Sequence, residues 1–187
     1  MGLWVAEQTD LSRLFIIGPM GSGKSTVGRH LADLLGYVFV DSDAEIETRA
    51  GADIPWIFDV EGEEGFRRRE TAVLEDLAQR SQAVIATGGG AILAPANRDL
   101  MARSGVVVFL NVSVAQQLKR TGSGEGRPLL QQGDRKETLT NLMAEREPLY
   151  RALADVMISS AGGNARRVAR HIQSKLTERG LLFSDAE

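Results

Sequence analysis

The chain contains no cysteine, which excludes disulfides, thiolate metal sites and a thiol nucleophile without fixing a compartment. Aromatic residues make up only 5% and the net charge is −3. The basic surface with interleaved aromatics that marks a nucleic-acid binder is therefore missing, and so is a broad footprint for anionic membrane. Lysine is scarce: of the 22 basic residues only Lys24, Lys119, Lys136 and Lys175 are lysine, and the rest are arginine. Biased codon usage accounts for most of that excess, so each arginine is weighed separately as a bidentate clamp for carboxylate or phosphate. No apolar run approaches membrane-spanning length. The first ten residues lack a basic start and a sustained apolar core, and Ala6 stands where a myristoylation signal needs Ser or Thr. The expectation is a soluble cytoplasmic protein with neither a nucleic-acid nor a membrane partner.

At 187 residues and 43% hydrophobic content, the chain can bury one substantial core but is short for two domains. Strand-like runs lie at Leu14 to Ile17, Tyr37 to Val40, Ala83 to Ala86, Val106 to Leu110 and Val156 to Ile158. Helical periods fall between them. Lys24 to Leu35 stops at Gly36, Glu64 to Arg80 keeps Phe66, Val73, Leu74 and Leu77 on one face, and Pro95 can start a helix. Asn164 can cap a last helix carrying Val168 and Ile172. The alternation predicts an α/β fold in which helices cover both faces of a parallel sheet.

The stretch Gly18-Pro19-Met20-Gly21-Ser22-Gly23-Lys24-Ser25-Thr26 follows the first apolar run and opens the first helix. It has the G-x-x-x-x-G-K-[ST] spacing of a phosphate-binding loop. Its glycines let successive N–H groups point at phosphate oxygens at a helix N-terminus. Lys24 is placed to reach the β and γ phosphates, and the Ser25 hydroxyl to complete the coordination of Mg²⁺. A glycine-rich turn that merely joined strand to helix would not need lysine followed by a hydroxyl.

In such sheets ligands bind beyond the carboxyl ends of the strands. Two more strand ends carry unusual residues, Asp41-Ser42-Asp43 and Thr87-Gly88-Gly89-Gly90. In extended backbone Asp41 and Asp43 leave on the same side, which suits one to Mg²⁺ through water and the other to a substrate hydroxyl. Asp41, Ser42 or Asp43 could instead each cap the helical pattern that begins at Ala44. The triple glycine reads as close approach of a ligand to the backbone or as a flexible turn. In Phe66-Arg67-Arg68-Arg69-Glu70, Arg68 and Arg69 read as a solvated face. The segment from Arg120 to Pro128 combines glycines with flanking arginines, which fits a lid that excludes water, or an idle loop.

Together these residues resemble the shikimate kinase family of nucleoside-monophosphate-kinase-like P-loop proteins. The resemblance runs from about Leu14 to His171, with GPMGSGKST, DSD, FRRRE, TGGG, RTGSGEGRPLL and MAEREPLYR in family order. It implies a three-layer α/β/α P-loop kinase fold with a five-stranded parallel sheet, a helical substrate-binding insertion and a mobile lid. The implied domain spans 11–180, with the insertion at about 42–70, the lid at about 121–134, and terminal tails at 1–10 and 181–187.

The implied reaction transfers the γ-phosphoryl group of ATP to the 3-hydroxyl of shikimate, with Mg²⁺ as cofactor and a monomer as the working unit. By position, Asp43, Lys24 and Arg127 are implied in catalysis. Gly21, Ser22, Gly23, Lys24, Ser25, Thr26, Arg120 and Arg127 are implied in nucleotide binding, with Arg120 against adenine. Asp43, Arg67, Gly88, Gly89, Gly90 and Arg146 are implied in shikimate binding. Ser25 and, through water, Asp41 are the implied metal residues. Glu70 is expected to orient Arg67, three residues earlier on the same helix face. His30 and His171 receive no chemical role. The competing expectations are a related kinase acting on gluconate and a nucleotide-dependent switch, the latter lacking an Asn-Lys-x-Asp guanine-reading motif.

Overall fold

The computed structural model of the protein describes residues 11–122, 133–161 and 164–182. Its elements follow in the order β1 (Arg13–Ile17), α1 (Lys24–Leu35), β2 (Val38–Asp41), α2 (Ser42–Ala50), α3 (Ile54–Leu77) and β3 (Ala83–Ala86). A short 3₁₀ turn (Ala91–Leu93) then leads to α4 (Pro95–Ser104), β4 (Val106–Asn111), α5 (Val114–Arg120), α6 (Arg135–Leu153), β5 (Val156–Ser159) and α7 (Ala165–Glu178).

The five strands form one sheet in the order β2-β3-β1-β4-β5, and every pairing is parallel. Parallel neighbours require crossovers, and these deliver helices to both faces. The alternation of side chains along β1 shows the result. Phe15 and Ile17 join a core with Ile57, Leu74, Leu77, Phe109 and Tyr150 from one side. Leu14 and Ile16 join Val27, Leu31, Val168 and Ile172 of α1 and α7 on the other. Each fully buried side chain of this kind contributes about 1.5–3 kcal/mol of transfer free energy.

The expected strands and helices are found with small shifts at their ends. β2 begins at Val38 rather than Tyr37 and runs on to Asp41. The helix expected from Glu64 to Arg80 starts ten residues earlier, at Ile54, and stops at Leu77. Asp53 caps that start by accepting from Trp56 N at 2.9 Å. Gly62, at φ 70° and ψ 179°, breaks the helix into two segments. The guanidinium of Arg69 spans the break, donating to both oxygens of Glu61 at 2.7–3.1 Å. Arg69 is thereby a strut across the kink, which corrects its reading as merely solvated; Arg68 is exposed as expected.

At the amino end of the sheet, away from the strand ends that carry the motifs, buried Arg13 donates to the carbonyls of Arg80 and Ser104. This fastens the chain just after α3 and the end of α4 to β1. No helix among the described residues is long and apolar enough to cross a membrane.

Candidate active site

The carboxyl ends of β1, β2 and β3 converge on a cavity of about 390 Å³ lined by Met20, Gly21, Gly23, Lys24, Ser25, Thr26, Asp41, Asp43, Thr87, Gly89 and Arg120. The loop after β1 is built as its sequence requires. Gly18, Gly21 and Gly23 all have positive φ, at 145°, 74° and 89°, and Gly23 caps α1, whose N-terminus faces the cavity. Lys24 Nζ donates to Gly18 O at 2.8 Å and Pro19 O at 3.0 Å, folding back over its own loop. The Ser22 hydroxyl is buried without a hydrogen-bond partner. Arg120 Nη1 bonds Gly21 O at 3.1 Å and Ser160 Oγ at 3.2 Å, joining the loop to the end of β5.

Asp41 caps α2 and also meets the phosphate loop. Its Oδ1 accepts from Asp43 N at 3.1 Å and caps α2. Its Oδ2 accepts from Ser25 Oγ at 2.5 Å. A hydroxyl and a carboxylate side by side at the mouth of the phosphate loop are hard oxygen donors of the kind Mg²⁺ takes. Among the described residues no group of three or more His, Asp or Glu side chains could hold a metal. That donor set fits a cation bound mainly through substrate phosphates and water.

Asp43 is half-buried beside this pair, and its buried Oδ1 has no hydrogen-bond partner among the described residues. Burial, and then the charges of Asp41 and Glu70, push its carboxyl from 3.8 up to about 7, against a smaller pull from Lys24 and Arg67. Glu70, fully buried, is raised for the same first reason. Glu70 Oε2 accepts from Arg67 Nη1 at 2.7 Å, and Glu63 Oε1 accepts from Arg67 Nη2 at 3.0 Å. The expected orienting role of Glu70 therefore has a geometric basis, and Glu63 is a second holder.

The triple glycine lies where these groups meet. A Cβ on Gly88 would come within 2.6 Å of Glu70 Oε1 and 2.7 Å of Asp43 Oδ1. A Cβ on Gly90 would come within 2.3–2.6 Å of the Arg67 guanidinium. The segment is no loose turn: Gly88 N donates to Ser42 Oγ at 3.1 Å and Tyr150 OH donates to Gly89 O at 2.5 Å. Asn97 and Arg98 of α4 bond the carbonyls of the 3₁₀ turn that follows. Among the described residues, no acceptor takes the N–H of Gly89 or Gly90. Arg146, 6% exposed, approaches from α6 with its Nε lacking a hydrogen-bond partner. A guanidinium is a group that takes a carboxylate bidentately.

Every expected site residue except Arg127 thus lies on this one side of the molecule. Arg127 and most of the expected lid lie outside the described residues. Ser42, Glu63, Asn97 and Tyr150 complete the site without having been expected in it. Ser42 and Tyr150 stand inside quoted motifs, but their partners are 46 and 61 residues away, a relationship that spacing does not reveal.

A phosphate loop opening onto an acidic pair, with a half-buried arginine on α3 and a buried one on α6 near it in a parallel α/β sheet, defines a P-loop small-molecule phosphotransferase. The family model described as shikimate kinase matches residues 20–177. The chain is 58% identical over 165 residues to the shikimate kinase of Halorhodospira halophila, covering 88% of this chain and 93% of that one. It is 52% identical to that of Vibrio campbellii over 89% of this chain and 96% of the relative. Among solved structures, shikimate kinase from Acinetobacter baumannii in complex with shikimate superimposes with a TM-score of 0.89 at 47% identity, over 92% of this chain and 96% of the other. The chain belongs to the shikimate kinase family. A gluconokinase from Sinorhizobium meliloti, at 20% identity and a TM-score of 0.58 over 92% of this chain and 97% of the other, shares the fold.

Proposed function

We infer that the protein transfers the γ-phosphoryl group of ATP to the 3-hydroxyl of shikimate, giving shikimate 3-phosphate and ADP on the route to chorismate and the aromatic amino acids. The observation that carries this reading is the Arg67 guanidinium held at Gly90 by Glu63 and Glu70, with Arg146 buried nearby on α6, next to a phosphate loop. With the N–H groups of Gly89 and Gly90, which no acceptor takes among the described residues, these arginines suit a carboxylate. Shikimate is a carboxylate bearing three ring hydroxyls, so anchoring its charge there turns a hydroxyl toward Asp43.

The side chains divide the work. The N–H groups of Gly21, Ser22, Gly23, Lys24, Ser25 and Thr26 hold the phosphates, and Arg120 holds the adenine side. Lys24, released from its own loop carbonyls, and Arg127 offset charge on the equatorial oxygens of the transferring group. Asp43 accepts the hydrogen of the reacting hydroxyl, and its raised affinity for a proton suits a group that takes one up. Gly88 gives Asp43 and Glu70 room, while Gly89, Gly90, Arg67 and Arg146 hold the acceptor. Ser25 and, through water, Asp41 would hold Mg²⁺, which supplies charge neutralisation between the β and γ phosphates when bound.

A single domain over residues 11–180 carries the activity, with an acceptor-binding insertion at about 42–70, a lid at about 121–134 and tails at 1–10 and 181–187. It works as a monomer in the cytoplasm. The test is ADP release with Mg²⁺-ATP alone, with shikimate, and with gluconate. Stimulation by shikimate alone is expected; stimulation by gluconate alone would overturn the acceptor, and none by either would overturn the kinase. In the same assay Asp43→Asn lowers turnover far more than it weakens ATP binding, and unchanged turnover would remove Asp43 from the mechanism.

A further inference from the structure

We propose that Tyr150 is a positioning residue for acceptor binding, which aims the Gly90 N–H at the acceptor carboxylate by holding the Gly89 carbonyl and couples that aim to Arg146. The proposal rests on the acceptor reading above.

Tyr150 is fully buried on α6, and its ring stacks on Phe109 of β4 with centroids 5.0 Å apart and planes at 19°. The sheet therefore fixes the ring, and the ring fixes the hydroxyl. That hydroxyl donates to Gly89 O at 2.5 Å. The carbonyl of Gly89 and the N–H of Gly90 belong to one peptide unit, which is planar and trans, so they point in opposite directions. Holding the carbonyl toward α6 turns the N–H away from it. No acceptor among the described residues takes that N–H, and the Arg67 guanidinium packs directly against Gly90.

The opposite side of the loop is held by Ser42, which accepts from Gly88 N at 3.1 Å. Gly90 O accepts from Leu93 N at 3.0 Å and Gly88 O from Ala91 N at 3.2 Å, so Tyr150 is what fixes the peptide between Gly89 and Gly90, where glycine itself resists few backbone conformations. Arg146, buried on the same helix, lies one turn before Tyr150, and its charge acts on the phenol. One phenol thus holds the peptide after β3 from the same helix face that carries Arg146.

Tyr150→Phe removes one oxygen and keeps the ring stack. The expected result is a rise of about tenfold in KM for shikimate, with KM for ATP within about twofold of wild type and the urea midpoint nearly unchanged. In an Arg146→Lys background the same change raises KM by less than about threefold, because both act on one clamp. An unchanged KM for shikimate, or an equal rise in both KM values, overturns the proposal. Should the variant fold poorly, the amide resonance of Gly90 in the wild-type protein decides: shikimate must shift it, and an unmoved resonance overturns the proposal. Wild-type protein that shikimate does not stimulate would instead overturn the acceptor reading itself.

Discussion

Glu70 Oε2 accepts a hydrogen bond from Arg67 Nη1 at 2.7 Å, while its other oxygen, Oε1, is buried against Gly88 with no hydrogen-bond partner. One carboxylate thus holds Arg67 and stands against the glycine segment. Removing one member of a buried pair leaves the other charge uncompensated. Glu70→Ala should cost about 3 kcal/mol of stability, at the low end for such pairs because Glu63 still holds Arg67. Urea denaturation measures it, and a loss below about 1 kcal/mol would show that Glu63 suffices.

Gly90→Ala should disable acceptor binding and spare the nucleotide. Its Cβ would sit within 2.6 Å of three guanidinium atoms of Arg67, so Arg67 must leave its place between Glu63 and Glu70. KM for shikimate should rise more than about tenfold, a difference of at least about 1.4 kcal/mol. ATP affinity measured by calorimetry should stay within about twofold. Equal losses for both ligands would mean that the change collapses the whole cavity.

Asp41→Asn keeps the shape of the α2 cap and removes the charge beside Ser25 Oγ. The Mg²⁺ concentration for half-maximal activity at saturating ATP should rise about tenfold, with a smaller change in KM for shikimate. An unchanged Mg²⁺ requirement would leave Asp41 as a cap only.

Asp43 makes stability depend on pH when nucleotide and metal are absent. Its carboxyl is at 3.8 in the unfolded chain and is pushed up to about 7 in the fold. Between those values the native state holds a proton that the unfolded state has released, so stability falls as pH rises through that window. Asp43→Asn removes this contribution. Denaturation midpoints taken from pH 4 to pH 8 in EDTA should decline less steeply in the variant, and parallel profiles would count against a half-buried, proton-hungry Asp43.

The elements easiest to read were those with local punctuation. α1 ends at Gly36 in left-handed backbone, φ 66°, α4 starts at Pro95, and Asn164 caps α7, all as expected from single residues. α6 is different. Its inward face comprises Leu139, Met143, Arg146 and Tyr150, only two of them aliphatic or thioether, and Pro148 interrupts the pattern. Hydrophobic periodicity has little to grip there. The first segment of α3 did carry a local start signal, Asp53 before Pro55, but Gly62 cut its period short.

The sequence by itself determined the phosphate loop, the alternation that makes a parallel sheet, and the inventory of acidic and guanidinium groups. Each of these follows from residues adjacent in the chain or at a fixed helical or strand period. Tertiary structure decided how the inventory is joined: Ser25 to Asp41, Glu70 to Gly88, Ser42 and Tyr150 to opposite sides of one glycine segment. Those contacts join α1, β2, α2, α3, α6 and the segment after β3, and they exist only because strand order 2-3-1-4-5 brings separate carboxyl ends to one edge. Burial at that edge, which no single segment possesses alone, is what raises the proton affinity of Asp43.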